Sequence, residues 1–139
     1  MLRDPEKTIG KLMHHQKLCF LATTDDDGFP VTRAMGRPRK VVGVSVQYFS
    51  TNTSSNKVAQ LRKNPKASVY YCDRRFIRGV LLRGTVEVLE DADIKTLLWE
   101  DGDEKFYPQG AADPDYCVLK FTATSGRYYS SLKSEDFPV

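Results

Sequence analysis

The 139 residues are 40% apolar and 28% charged, enough to fill the core of one domain spanning residues 1–139 and ordinary for a globular chain. A net charge of +3 is too small for a dedicated nucleic-acid binder, and the longest apolar run, Leu18–Ala22, is far short of the ~18 residues needed to cross a membrane. The N-terminus lacks the apolar core of a signal peptide, and Cys19, Cys72 and Cys117 are widely separated, so they read as buried free thiols of a reducing compartment, the cytoplasm.

The spacing predicts a helix over 5–17. Asp4 is a good cap, Pro5 suits a first helical turn, and Ile9, Leu12, Met13 and Gln16 recur at helical intervals. His14 and His15 are adjacent on it and face different ways, so they cannot share a metal, and no metal site is expected. Residues 18–24 are apolar and β-prone, and Asp27-Gly28 signals a hairpin. Residues 29–35 then alternate, with Phe29, Val31, Arg33 and Met35 on one face. Arg33 therefore stands in an apolar row. A guanidinium there either meets an anionic ligand or snorkels to water and pairs with a carboxylate. The densest basic run, Arg37–Lys40, reads as a solvated loop.

A strand follows at 42–50 and a short helix at 55–63, with Val58, Ala59 and Leu61 inward and Pro65 just past its end. Strands are expected at 67–72 and 77–89. In the second, Gly84 interrupts the row Val80, Leu82, Val86 and Val88, the mark of a bulge or bend. A surface helix at 91–99, a polar irregular stretch and strands at 116–123 and 126–131 complete the chain. Hairpin-like links in succession predict a mainly β fold, a small antiparallel barrel of six or seven strands with three peripheral helices.

Between the third strand and the second helix lie six residues, Thr51–Asn56, each carrying a hydroxyl or an amide, and then Lys57. A helix N-terminus exposes unpaired N–H groups and the positive end of the dipole, a ready site for phosphate. Ser54, Ser55 and Asn56 add donors, Lys57 adds a full charge, and Ser50, Thr51 and Asn52 would line the same crevice. The plainer reading is an N-cap, but a cap uses one residue and leaves the surplus unexplained. Neither Gly-rich phosphate-loop pattern is present.

In order and spacing, "LATTDDDGFPVTRAM", "YFSTNTSSNKVAQLRKNPKASVYY", "GVLLRGTVEVL" and "LLW…FYPQGAADPD" resemble the flavin-binding split-barrel proteins related to pyridoxamine 5′-phosphate oxidase, and within them the general-stress-protein-26-like branch. The resemblance spans nearly the whole chain. It implies a split β-barrel with FMN bound between the two subunits of a homodimer. Carried to this sequence, Arg33 and Lys57 would contact the flavin phosphate with Ser55 and Asn56 beside them. The backbone around Ala34, Met35, Ser50 and Thr51 would meet the ring and ribityl chain. Trp99, Phe106 and Tyr107 of the partner subunit are the nearest candidates for an aromatic lid.

Two departures matter. Asn56 stands where the oxidases have Arg, one positive charge fewer at the phosphate. The sequence ends at "KSEDFPV", without the Arg-rich segment those oxidases use for substrate, which argues against vitamin B6 oxidation. No catalytic residue, general base or substrate clamp has a sequence signature. The leading expectation is an FMN-dependent oxidoreductase acting on an unknown small substrate. The alternatives are a non-catalytic flavin-binding stress-response module and a split barrel holding haem or a deazaflavin. Several aromatic residues, Tyr48, Tyr70, Trp99, Tyr107 and Tyr128, fall outside any clean inward face. They suit a homodimer interface, or else helices cover them within one chain.

Overall fold

The computed structural model describes residues 2–139. Its strands are β1 (Leu18–Thr24), β2 (Pro30–Gly36), β3 (Lys40–Val42), β4 (Val46–Asn52), β5 (Lys66–Asp73), β6 (Arg78–Leu89), β7 (Tyr116–Ser130) and β8 (Lys133–Phe137). All pair antiparallel in one sheet of order β2-β1-β5-β6-β7-β4-β3, with β8 also on β7. The sheet does not close: β2 and β3 are its two edges, as in a split barrel.

Alternation decides which side chains go inside. On β4, Gln47, Phe49 and Thr51 are buried, while Tyr48, Ser50 and Asn52 between them are only half-buried. Leu21, Phe49, Val69, Tyr71, Leu82, Leu119 and Phe121 from five strands meet in one core. Helix α1 (Pro5–His14) adds Ile9, Leu12 and Met13 to it, and α2 (Asn56–Lys63) adds Val58 and Leu61. Helix α3 (Ala92–Leu98) packs elsewhere: Leu98 joins Tyr116 and Val118 in a second cluster on the opposite face of β7.

The bulge expected at Gly84 is present, as a register shift between Arg83 and Gly84. A Cβ on Gly84 would lie 2.0 Å from the Thr122 carbonyl oxygen, so only glycine allows β6 and β7 to approach this closely.

Several expected boundaries move, each for a local reason. The strand count is eight rather than six or seven. The expected strand at 42–50 is a hairpin, because Gly43 turns the chain at φ +60° between β3 and β4. The last two expected strands are one, since Thr124 is skipped in the pairing (Gly84 meets Ala123, Arg83 meets Ser125) and β7 bends there without breaking. Helix α1 ends at His14, not 17, where the backbone N–H and ring nitrogen of His15 both reach the Lys11 carbonyl. Ala59 is exposed rather than inward. Cys19 and Cys117 are buried as expected, but Cys72 is only half-buried. No helix is long and apolar enough to cross a membrane.

Candidate functional site

Arg33 lies on the inward face of β2, and its guanidinium is held by neutral oxygens. Nη1 donates to Thr23 Oγ1 at 2.7 Å and to the Val31 carbonyl at 3.1 Å, and Nη2 reaches Gln60 Oε1 of α2 at 3.4 Å. Thr23 in turn donates its hydroxyl proton to Gln60 Oε1. Across the same space, Lys57 Nζ donates to Thr51 Oγ1 at 3.0 Å. Among the described residues, neither cation forms an ion pair. Burial pulls both groups below their ordinary pKa, and Lys57 is lowered further by the Arg33 charge. The fold thus holds two neighbouring positive charges without the carboxylate that would normally neutralise them.

The start of α2 completes the arrangement. Ser55 is its N-cap but makes no side-chain cap bond, and its buried Oγ has no hydrogen-bond partner. The plain N-cap reading therefore does not explain this serine. The preceding turn is pinned from β7's approach: Ser54 N–H donates to Asp115 Oδ1 at 2.8 Å and Thr53 N–H to the Asp115 carbonyl at 2.7 Å. Asn56, the first residue of α2, is exposed. Two fixed cations, an unpartnered hydroxyl and the N–H groups at the start of α2 are the kinds of donor that an oxyanion would call for.

A cavity of about 490 Å³ lies between the C-terminal end of β2 and the middle of β4, lined by Met35, Gly36, Phe49, Ser50, Arg39 and Glu100. Arg39 was expected in a solvated loop, but it grips Asp103 with two bonds of 2.8 and 2.9 Å and pairs with Glu100 at 3.2 Å. That guanidinium holds the Asp103 carboxyl below its ordinary range and fixes the segment after α3 against β3.

Trp99, Tyr107 and Tyr116 form an aromatic cluster with centroids 5.0–6.2 Å apart. The Tyr116 hydroxyl donates to the Lys95 carbonyl at 3.2 Å and lies 3.4 Å from Ser50 Oγ. Burial pushes the Tyr107 hydroxyl up to about 12.

Lys57 is thus brought to Thr51 and near Arg33, and Ser55 caps the helix that carries Lys57. Ser50 faces the other side of β4, towards the aromatic cluster, and Ala34 is exposed on the far face of β2 from buried Met35. Trp99 and Tyr107 pack with Tyr116, not against Arg33 or Lys57 of the same chain. Tyr48 belongs to that cluster too, so coverage within one chain accounts for these three aromatic residues. Tyr70 lies beside Tyr129 instead, at 6.5 Å. Thr23, Gln60, Asp115 and Tyr116 were not anticipated. Gln60 carried one signal, a position three after Lys57 and hence on the same helical face.

The chain matches the pyridoxamine 5′-phosphate oxidase family over residues 5–130. A Clostridium acetobutylicum protein related to general stress protein 26 is 37% identical over 100% of this chain and 97% of its own, with a TM-score of 0.89. General stress protein 26 of Bacillus anthracis shares the fold at 19% identity, covering 96% of this chain and 98% of its own, with a TM-score of 0.77. A Nostoc punctiforme pyridoxamine 5′-phosphate oxidase-related, FMN-binding protein shares it at 15% identity with full coverage of both chains and a TM-score of 0.70. Among curated proteins none matches.

Proposed function

Because the chain belongs to the pyridoxamine 5′-phosphate oxidase family, we propose that it is an FMN-binding protein acting as a flavin-dependent oxidoreductase on a small substrate. The observation that carries this reading is the unneutralised pair Arg33 and Lys57 beside the unpartnered hydroxyl of Ser55. The arrangement fits a phosphate monoester, which supplies the missing negative charge and an acceptor for that hydroxyl. Arg33 and Lys57 would hold the phosphate, with Ser55 and the first N–H groups of α2. The stretch around Ala34–Met35 and Ser50–Thr51 would run beside the ribityl chain and ring, next to the cavity at Met35 and Ser50. When bound, the flavin supplies hydride or electron transfer at its ring, and the protein supplies position and electrostatics.

A homodimer is part of the proposal. Leu18 and Phe20 on β1 are 54% and 38% exposed. Phe20 pairs across to Tyr70 of β5, and Tyr70 to Leu81 of β6, giving an apolar strip that lies outside both core clusters. A second copy that buries this strip would bring its own Trp99 and Tyr107 towards the flavin as a lid.

The direct test is to identify by mass any chromophore that copurifies, then to titrate FMN into Arg33→Ala/Lys57→Ala. Each lost charge-assisted bond weakens binding by ~1.5–3 kcal/mol, so the double variant should bind at least ~100-fold more weakly at ~1.4 kcal/mol per decade. Unchanged affinity would put the phosphate elsewhere. Turnover of a nicotinamide donor separates the oxidoreductase from a flavin carrier without catalysis. A haem or deazaflavin in the purified protein would replace FMN in the proposal.

A further inference from the structure

A groove of about 1520 Å³ lies away from the Arg33–Lys57 site, between α1, the start of β1 and the β5–β6 turn. Lys7, Lys11, Lys17, Arg74 and Arg75 line it, and among the described residues none of them is in an ion pair. Only Arg78 is neutralised, by Asp73 at 2.7 Å. Between these cations, Leu18, Phe20 and Phe76 present exposed apolar surface, and Arg75 stacks over the Phe76 ring at 5.2 Å. The groove therefore asks for a ligand that is acidic and apolar at once.

The chain itself carries such a segment. Residues 100–106 expose Asp101 and Glu104 against the one cation Lys105, none of the three in an ion pair among the described residues, and end in Phe106, which is 74% exposed. The segment is stiff: the Asp103 carboxylate takes both Arg39 nitrogens and the Glu100 N–H at 3.0 Å. In the rival acidic stretch, Asp25–Asp27, Asp26 is neutralised by Lys63 and Asp25 accepts two turn N–H groups, whereas Asp101 and Glu104 meet no cation among the described residues and Glu104 accepts the Gly102 N–H alone. The groove and the segment both adjoin one cavity. Gln16 lines the groove and its carbonyl takes Arg37 Nε, while Arg37 and Glu100 both line the cavity at Met35 and Ser50.

From this placement and its charge complementarity we infer that the groove receives the 100–106 segment of a second copy of this chain, Phe106 entering between the cations, and that the contact is made twice in one two-fold dimer. The inference rests on the homodimer proposed above. It adds what that reading lacks, a reason for register: seating residues 100–106 in the partner's groove sets where Trp99 and Tyr107, which flank the segment, come to lie.

A charge swap tests it. The groove variant is Lys11→Glu/Arg75→Glu, and the segment variant is Asp101→Lys/Glu104→Lys. By sedimentation at low salt, each variant alone should dissociate at least ~10-fold more readily than the wild type, whose own dimer should weaken as salt rises. Mixed in equal amounts, the two variants should recover the wild-type association as a heterodimer, because both contacts then join opposite charges. Wild-type-like dimerisation of both variants, or dissociation without recovery on mixing, overturns the inference while leaving the flavin-bridged dimer standing. A wild-type protein that binds FMN as a monomer sinks the dimer reading and this inference with it. If charge reversal prevents folding, Lys11→Ala/Arg75→Ala with a salt series asks the same question, and salt-independent dimers unaffected by it give the same negative answer.

Discussion

Lys57 carries a charge that burial and Arg33 both disfavour, so its titration is coupled to whatever occupies the site. In the free protein its pKa is lowered from 10.5; a bound phosphate dianion raises it again. FMN affinity should therefore be flat at neutral pH and fall as pH rises through a window that begins below 10.5. It should also fall on the acid side near pH ~6, as the phosphate takes up its second proton. The ligand-free fold should respond with the opposite sign at high pH. The unfolded chain holds the Lys57 proton longer than the folded one, so folding gains stability as pH rises through the same window. Lys57→Arg keeps its charge throughout and should abolish the alkaline fall; titrations at stepped pH for both proteins decide it. Asn56 offers a second check. It is exposed at the first position of α2, so Asn56→Arg should tighten FMN binding at low salt and lose the gain as salt rises. No gain at any salt means that the side chain points away from the phosphate. Arg33 was legible as a candidate because a period-two pattern shows a charge in an apolar row. Thr23 and Gln60, which hold it, were not, because a neutral polar residue gives no sign of its partner until the strands and α2 are in place.

At the scale of elements, the site depends on how closely β6 and β7 approach, since β7 carries Tyr116 and leads back to Asp115. Gly84→Ala puts a methyl group onto the Thr122 backbone carbonyl, which cannot retreat without breaking the β6–β7 ladder. Overpacking of this kind costs about 1–3 kcal/mol, so Tm should drop by several degrees. Gly10→Ala makes the contrast. It lies inside α1 with nothing within 4 Å of the new Cβ, and the better helix propensity should raise Tm. Thermal scans of the two variants side by side check both signs; equal shifts would mean that the bulge does not require glycine. The same elements show where periodicity succeeds and where it fails. The inward rows of β2 and β6 and the start of α2 follow from spacing alone, whereas β1 was legible only as an apolar, β-prone run. The hairpin at Gly43 was hidden because a three-residue edge strand is too short to show a period. The continuity of β7 was hidden because Thr124, Ser125 and Gly126 are turn-type residues, whereas in the fold Thr124 is only skipped and pairing with β6 continues.

For the whole molecule, the open question is what closes a barrel whose sheet ends on two edges. Arg33 and Lys57, the proposed phosphate ligands, lie on one side, and the aromatic rings proposed to cover a flavin sit with Tyr116 on the other face of β4–β7. A single chain therefore separates the two halves of the proposed site, and on the proposed dimer a second copy joins them. Light scattering should then report about twice the 15.8 kDa chain mass. Because FMN would touch both chains, it should raise the melting temperature and tighten the dimer by the same coupling factor by which the dimer tightens FMN. Trp99→Ala should weaken FMN binding although Trp99 lies outside the phosphate site. It will also loosen the Tyr107–Tyr116 cluster, so binding must be measured well below the melting point. Trp99→Phe, which keeps an aromatic face, should recover most of the affinity if the ring acts as a lid. Equal affinity in all three proteins, or full FMN binding by a monomer, would leave Trp99 as packing for its own chain.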